Sequence, residues 1–326
     1  MSGRYVIYGA GAIGGVIAGA LAMQGEPTAV LARGAHREVL AERGMTLHLA
    51  NGSHQVPMTV AERPEELDLG VDDVVILAMK TQDTERALGD LAAAAPPAIA
   101  VVCAQNGVAN ERAALRRFAR VYGMCVYLPA THLEPGVVEG GGTPYHGVLD
   151  VGCYPGGVDE TAERVAAALT GANFRSQAQP EVMRFKYAKL RVNTRNALDA
   201  MCGRDAFDSD VGRRSAAEAL EVYRAAGIPV ATREEEADRR GELKTVAVNG
   251  RSRSGSSSWQ SLARGSGSIE SDYLNGEIVL LGRLHGVATP VNEALQLLAN
   301  DAARRHREPG SVALAEVEEL IATLDG

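Results

Sequence analysis

Cysteine is scarce and scattered in this sequence: Cys103, Cys125, Cys153 and Cys202 are its four. They form no CxxC pair and no Cys/His spacing that would hold a metal, so they read as reduced cytosolic thiols. The seven histidines are equally dispersed, and no metal is expected. No apolar run reaches the roughly 18 residues of a membrane-spanning helix. Positive charge is also short: a formal net charge of −8 argues against nucleic acid as a partner. The apolar segment near the N-terminus runs into glycines rather than a cleavage site, so it does not read as a secretory signal. What is present is 326 residues, 46% of them hydrophobic, the size and composition of a cytoplasmic enzyme of about two domains.

The strongest local signal is Gly9-Ala10-Gly11-Ala12-Ile13-Gly14, directly behind the apolar run Tyr5–Tyr8 and ahead of the small-residue stretch Val16–Leu21. This reads as a buried strand, a tight glycine turn and a helix. The first glycine permits the bend, the second lets backbone approach a pyrophosphate, and the third lets helix pack on strand. The helix N-terminus adds unpaired N–H groups and the positive end of a dipole. The reading is dinucleotide binding; the alternative is a glycine turn kept for packing alone.

The next strand, Thr28–Ala32, ends at Arg33, with His36 and Arg37 just beyond. NAD-binding units usually carry Asp or Glu here for the ribose hydroxyls, whereas a cation suits a 2′-phosphate, so NADP(H) is the expected cofactor. Arg33 could also be a solvated loop residue. A hairpin is expected around Asn51-Gly52, between Thr46–Leu49 and Gln55–Val60. The apolar runs Asp73–Met79 and Ala98–Cys103 read as buried parallel strands. Lys80 and Asn106 follow their carboxyl ends, where open α/β sheets gather ligands. Both are expected to face cofactor or substrate, unless they are loop or cap residues. Arg120–Tyr127 and Gly147–Gly152 read as further strands, and Asp159–Gly171 as a helix.

Strand-like runs fade near Gln179-Pro180, and proline suits a first helical position. The expected division is therefore a dinucleotide-binding α/β domain over 1–178 and an all-α domain over 179–326. The Gly/Ser/Arg-rich stretch Gly241–Gly267 reads as a loop between helices. On a helical wheel of the helix from Pro180, Met183, Tyr187, Leu190, Thr194, Ala197, Leu198 and Met201 form a packing stripe. Arg184, Arg191, Arg195 and Asp199 form a second face that reads as solvated. Lys189, Asn193 and Asn196 align on a third, with Lys186 alongside. This third face is either functional or a second solvent-exposed face.

The chain resembles the ketopantoate reductase (2-dehydropantoate 2-reductase) family along nearly its whole length. The resemblance rests on the glycine turn, Met79-Lys80-Thr81, Gln105-Asn106-Gly107-Val108 and Lys189-Leu190-Arg191-Val192-Asn193. It continues through Ser256–Gln260, Ile269–Gly276 and His285–Pro290. The resemblance implies an N-terminal Rossmann domain and a C-terminal domain like that of 6-phosphogluconate dehydrogenase. It implies NADPH-dependent reduction of a small 2-oxo acid, ketopantoate by default, to its hydroxy acid. Lys189 matches the family's catalytic lysine and Asn193 its substrate-binding asparagine. Glu270 matches the acid that contacts the reacting hydroxyl, and Ser257 a substrate-binding serine. Lys80 and Asn106 match positions near nicotinamide and substrate. A helix read from Ser268 turns Glu270 inward beside Leu274 and Leu281, where a carboxylate needs a partner, and Lys189 is the expected one.

The cofactor side of the pattern is intact and the substrate side is edited. Ala197 stands where relatives often place a second asparagine, with Asn196 one residue early. Trp259-Gln260-Ser261 lacks the acidic residue of the family pattern, and the spacing on to Glu270 is longer. Beside ketopantoate reduction stand a pathway-specific ketone or imine reductase on the same scaffold and a catalytically silent NADPH-binding sensor. The retained Lys189 and Glu270 favour an enzyme. A homodimer is compatible with the sequence, which leaves substrate and stereochemistry open.

Overall fold

The computed structural model describes residues 3–251 and 254–325. The chain forms two compact units, Met1–Lys186 with Arg233–Arg253, and Tyr187–Thr232 with Ser254–Gly326.

The first unit begins β1 (Tyr5–Tyr8), α1 (Ala12–Met23), β2 (Thr28–Leu31), α2 (Gly34–Arg43), β3 (Met45–Leu49), β4 (Gly52–Val56), β5 (Thr59–Ala61). It continues β6 (Val74–Leu77), α3 (Thr84–Ala94), β7 (Ala100–Cys103), α4 (Asn110–Leu115) and β8 (Arg120–Tyr127). Then come β9 (Ala130–Thr131), β10 (Val137–Gly140), β11 (Gly142–Thr143), β12 (Val148–Cys153) and α5 (Glu160–Gly171). Seven strands make one sheet in the order β12-β8-β7-β6-β1-β2-β5. All neighbours are parallel except the β8–β12 pair. Every residue of β1, β6 and β7 is buried, which is why these strands read as unbroken apolar runs. Alternate side chains serve opposite faces. Ile7, Val30, Ile76 and Val102 pack with Val16, Ile17 and Leu21 of α1 and Val165 and Leu169 of α5. Val6, Leu31, Val75 and Val101 pack with Leu88 and Leu91 of α3. The sheet is thus wound from β1 in two directions, a Rossmann-like arrangement whose switch point lies between β1 and β6.

The Asn51-Gly52 hairpin forms, pairing Leu49 with Gly52. The run expected from Gln55 to Val60 divides at Pro57, which has no N–H to continue a ladder. Its first part stays in a second sheet, β4-β3-β10-β9, while Thr59–Ala61 joins β2 at the edge of the main sheet.

Two sequence expectations are corrected beyond Pro180. The helix α6 (Val182–Asn193) starts after Pro180, and it leaves the first unit at Lys186 rather than lying wholly beyond a 178/179 boundary. The segment from Arg233 returns to the first unit as α9 (Arg233–Arg240) and β13 (Lys244–Thr245), the latter antiparallel to β11. Side-chain pairing rather than apolar periodicity holds it. Arg239 donates to both oxygens of buried Asp150 at 2.8 and 2.6 Å. Tyr127 donates to Glu236 at 3.0 Å and Tyr145 to the Arg240 carbonyl at 2.6 Å.

The second unit is helical: α7 (Asn196–Cys202), α8 (Asp210–Ala225), α10 (Ser257–Ala263), α11 (Asn275–His285), α12 (Pro290–Arg304) and α13 (Leu314–Leu324), with the last part of α6. Its core joins Leu198, Met201, Val211, Leu262, Leu295 and Ile321. The stretch Gly241–Gly267, expected as loop, therefore contains both β13 and α10. Ser256 starts α10 by accepting a hydrogen bond from the Trp259 N–H at 3.2 Å, a cap that periodicity does not reveal. Among the described residues no helix is long and apolar enough to cross a membrane.

Candidate active site

In the first unit the three glycines of the turn differ in what surrounds them. Gly9 has φ +102°, and a Cβ there would stand 2.8 Å from the Met79 nitrogen, where the turn passes the end of β6. A Cβ at Gly14 would overlap the Gly9 carbonyl oxygen and crowd Ile7. Gly11 is the opposite case, since a Cβ there would meet no protein atom within 4 Å. Gly11 is the N-cap of α1, has no side-chain cap, and is followed by a first turn (Ala12, Ile13, Gly14) without an acidic residue. Bare backbone, a helix N-terminus and absent negative charge are what a pyrophosphate requires. The residues present fit a dinucleotide.

Arg33 caps α2 just past β2, half-exposed, with its guanidinium 3.9 Å from Asp90. It lies against the Tyr8 phenol, which burial, then Asp90, push above its usual range while Arg33 pulls it down. A surface pair at that distance is weak and leaves the guanidinium available to a stronger anion. The two residues just beyond it, Arg37 and His36, are engaged elsewhere. Arg37 stands 3.8 Å from Glu62. His36 points back to the glycine turn, its Nε2 2.8 Å from the Ala10 carbonyl and its Nδ1 accepting from the Gly136 N–H at 2.9 Å. Burial, then the neighbouring His132, holds His36 below the usual imidazole range, and both its ring nitrogens are engaged within the fold.

Lys80 and Asn106, both half-buried, follow β6 and β7 at the same carboxyl edge of the sheet. A polar network beneath them joins the two loops. Gln105 donates to Thr84 at 2.7 Å, Thr84 to Asn110 at 2.8 Å, and Asn110 to Thr81 at 3.3 Å and the Asn106 carbonyl at 3.4 Å. Lys186, read from sequence as a neighbour of the polar helix face, is instead 3% exposed and 2.5 Å from the fully buried Glu111. Its ammonium also donates to the carbonyls of Cys103 at 3.3 Å and Gln105 at 3.0 Å. Lys186 thus grips the end of β7 immediately before Asn106.

In the second unit the face expected to carry Lys189, Asn193 and Asn196 does not lie on one helix. The helix stops at Asn193 and restarts at Asn196, so Lys189 and Asn193 share α6 while Asn196 opens α7. The Thr194 carbonyl freed at the break accepts from Asn275 at 2.8 Å. Asn275 also donates to Asn292 at 3.0 Å, and Asn292 to Glu218 at 2.7 Å. Glu218 in turn accepts from the N–H groups of Val291 and Asn292 at the start of α12, each at 2.9 Å. Burial pushes the Glu218 carboxyl up, against these hydrogen bonds. Lys189 is half-buried, while Asn193 and Asn196 are buried.

Asp199, expected to be solvated, is 1% exposed. It accepts from the Ser256 N–H at 2.5 Å, while the Ser256 hydroxyl donates to the Asn196 carbonyl at 3.3 Å. These bonds bring the start of α10, and with it half-buried Ser257, to the start of α7. Glu270 is inward as expected, 4% exposed, but it opens a short 3₁₀ turn (Glu270–Tyr273) ahead of α11 rather than a helix from Ser268. The Arg264 guanidinium lies within its electrostatic range. Ser261, in place of the expected acid, is buried and donates to the Ser257 carbonyl at 3.1 Å. Asn275, Asn292 and Glu218 were not singled out from sequence, and Asp199 and Lys186 were placed only on helix faces; their polarity in apolar surroundings is the signal that would have marked them.

Comparison with known proteins adds the following. Residues 5–156 match the family described as Ketopantoate reductase PanE/ApbA, and residues 182–302 match its C-terminal family. A 2-dehydropantoate 2-reductase of Archaeoglobus fulgidus is 30% identical over 90% of this chain and 95% of its own. One from Halobacterium salinarum is 29% identical over 92% and 99%. For the Pyrococcus horikoshii 2-dehydropantoate 2-reductase, 30% identical, the match spans 59% of this chain and 61% of that protein. Among solved structures, a PanE/ApbA family ketopantoate reductase from Ralstonia eutropha superposes with a TM-score of 0.77 at 25% identity, covering 94% and 100% of the two chains. D-mandelate dehydrogenase with NADH and anilino(oxo)acetate shares the fold, with a TM-score of 0.78 at 20% identity over 94% and 99%.

Proposed function

As a member of the ketopantoate reductase family, this chain is an oxidoreductase acting on CH–OH groups, and we propose that it reduces a small 2-oxo acid with NADPH. The observation that carries the cofactor half is the glycine turn, open at Gly11 and closed at Gly14. Gly9, its N–H given to the Leu31 carbonyl, makes the bend, and Gly11, Ala12, Ile13 and Gly14 hold the pyrophosphate through backbone N–H groups; Arg33 selects the 2′-phosphate, and Lys80 and Asn106 face the nicotinamide end. A reduced nicotinamide, when bound, supplies the hydride.

The chain's own part is to manage charge and protons. Negative charge develops on the substrate oxygen as its carbon is reduced, and the Lys189 ammonium stabilises it and donates the proton. Glu270, a buried carboxylate, orients that ammonium and accepts from the new hydroxyl. Asn193, Asn196 and Ser257 hold the substrate's carboxylate and hydroxyl through neutral hydrogen bonds. Ketopantoate, giving pantoate, is the first substrate to try.

The buried Ser261 favours a related ketone as the second reading, because it removes an acid from the expected pattern. The test is NADPH oxidation, followed optically, against a panel of 2-oxo acids and ketones, with NADH run in parallel. Turnover fastest with ketopantoate supports the first reading, and turnover only of other ketones supports the second. No turnover of any 2-oxo acid or ketone, with NADPH still bound, would leave a silent sensor.

A further inference from the structure

We propose that His36 is a positioning residue for the dinucleotide site, acting through one peptide group: it holds the Ala10 carbonyl and thereby aims the Gly11 N–H. The inference rests on reading the glycine turn as that site.

The two hydrogen bonds of His36 permit a single tautomer. The Gly136 N–H can only donate, so Nδ1 must carry a lone pair. The Ala10 carbonyl can only accept, so Nε2 must carry the proton. A neutral imidazole with its proton on Nε2 satisfies both, and neither a flipped ring nor the other tautomer does. His132 fixes the ring from one side, its centroid 4.3 Å away, and is itself 3.0 Å from the Val137 carbonyl through Nδ1.

The consequence lies across the peptide bond. A trans peptide is planar, with C=O and N–H directed oppositely, so tying the Ala10 oxygen to α2 sends the Gly11 N–H the other way. That matters here because Gly11 has no Cβ and nothing near where one would be, so the peptide before it has few steric restraints. A flip would present a carbonyl oxygen in place of a donor and repel a phosphate. Ala10 has no side-chain functional group to prevent this, and the helix bond that Gly11 makes uses its carbonyl, not its N–H (Gly15 N–H to Gly11 oxygen, 2.7 Å). His36 supplies the missing restraint from outside the turn.

The test compares NADPH affinity, by fluorescence titration, in the wild-type protein, His36→Leu and His36→Gln. Leucine removes both hydrogen bonds, whereas a glutamine amide offers an acceptor and a donor in the same sense. We expect about a tenfold weaker NADPH affinity in His36→Leu, the size of one to two hydrogen bonds. Its kcat at saturating cofactor should stay close to wild type, a split that general loss of structure would not give. His36→Gln should recover most of the affinity. If His36→Leu does not fold, His36→Met, longer and equally apolar, takes its place. Equal affinity in the wild type and the apolar variant, or no recovery with glutamine, would overturn the role of His36. A wild-type protein that binds neither NADPH nor NADH would instead overturn the dinucleotide reading beneath it.

Discussion

In the first unit the atoms that the proposed function assigns to a ligand are largely backbone: the N–H groups at Gly11 and the start of α1, held by strand ends and glycine contacts. In the second unit they are side chains, namely Lys189, Asn193, Asn196, Ser257 and Glu270, mounted at a helix break, two short helices and a 3₁₀ turn. Backbone recognition depends on where the chain can bend and how closely it can approach, so it survives most changes of side chain. Recognition by side chains at interruptions is easily edited. The difference matches the sequence, which keeps the family's glycine pattern and departs from it at Ala197 and Ser261.

The largest effect should come from the second unit. Lys189→Ala is expected to lower kcat by about 10²–10⁴ while cofactor affinity changes little. Near-normal steady-state turnover would remove the central residue of the proposed mechanism. Next is the buried pair in the first unit. Lys186→Met leaves Glu111 buried without its cation and should cost about 3–5 kcal/mol in urea unfolding, whereas Lys186→Met with Glu111→Leu should regain most of it. An unchanged midpoint in the single variant would show that the pair is not what holds α4 to α6.

Smaller again is cofactor choice. Arg33→Asp should shift the NADPH-to-NADH affinity ratio more than tenfold toward NADH, as expected for loss of a charge-assisted bond of about 1.5–3 kcal/mol. The smallest contrast lies within the glycine turn. Gly14→Ala should destabilise the fold by about 1–3 kcal/mol through overpacking, and Gly11→Ala should leave thermal stability nearly unchanged while weakening cofactor binding. Equal melting temperatures for the two would contradict their different surroundings.

The sheet was legible because its strands are continuous apolar runs and its turns carry Gly and Asn-Gly signals. The second half was less so, for reasons that individual residues show. Asn193 and Asn196 looked like one face because a wheel assumes an unbroken helix, and the break at Thr194 is stabilised from a distance by Asn275, far along the sequence. Asp199 looked solvated because wheel position does not reveal that a backbone N–H at Ser256 comes to meet it. Arg233–Arg240 was not separated from the rest of the helical half, since its attachment through Arg239 and Asp150, Tyr127 and Glu236 leaves no periodic trace. Glu270 was read correctly as inward although its helix was not, because burial of a carboxylate between apolar neighbours is a local matter.

The returning segment has a consequence for synthesis and dissection. Glu111 and Asp150 are both laid down early in the chain, and both are buried beside cations that arrive later, Lys186 and Arg239. A nascent chain that has emerged only through β12 would hold two carboxylates without their counter-ions. Such a chain should stay loose around them until α6 and then α9 leave the ribosome. For the same reason a fragment ended at residue 178 would contain every strand of the seven-stranded sheet and still lack both cations. The order in which this unit completes is therefore set by charge as much as by the strands, and its last stabilising contacts come from residues translated after part of the helical unit.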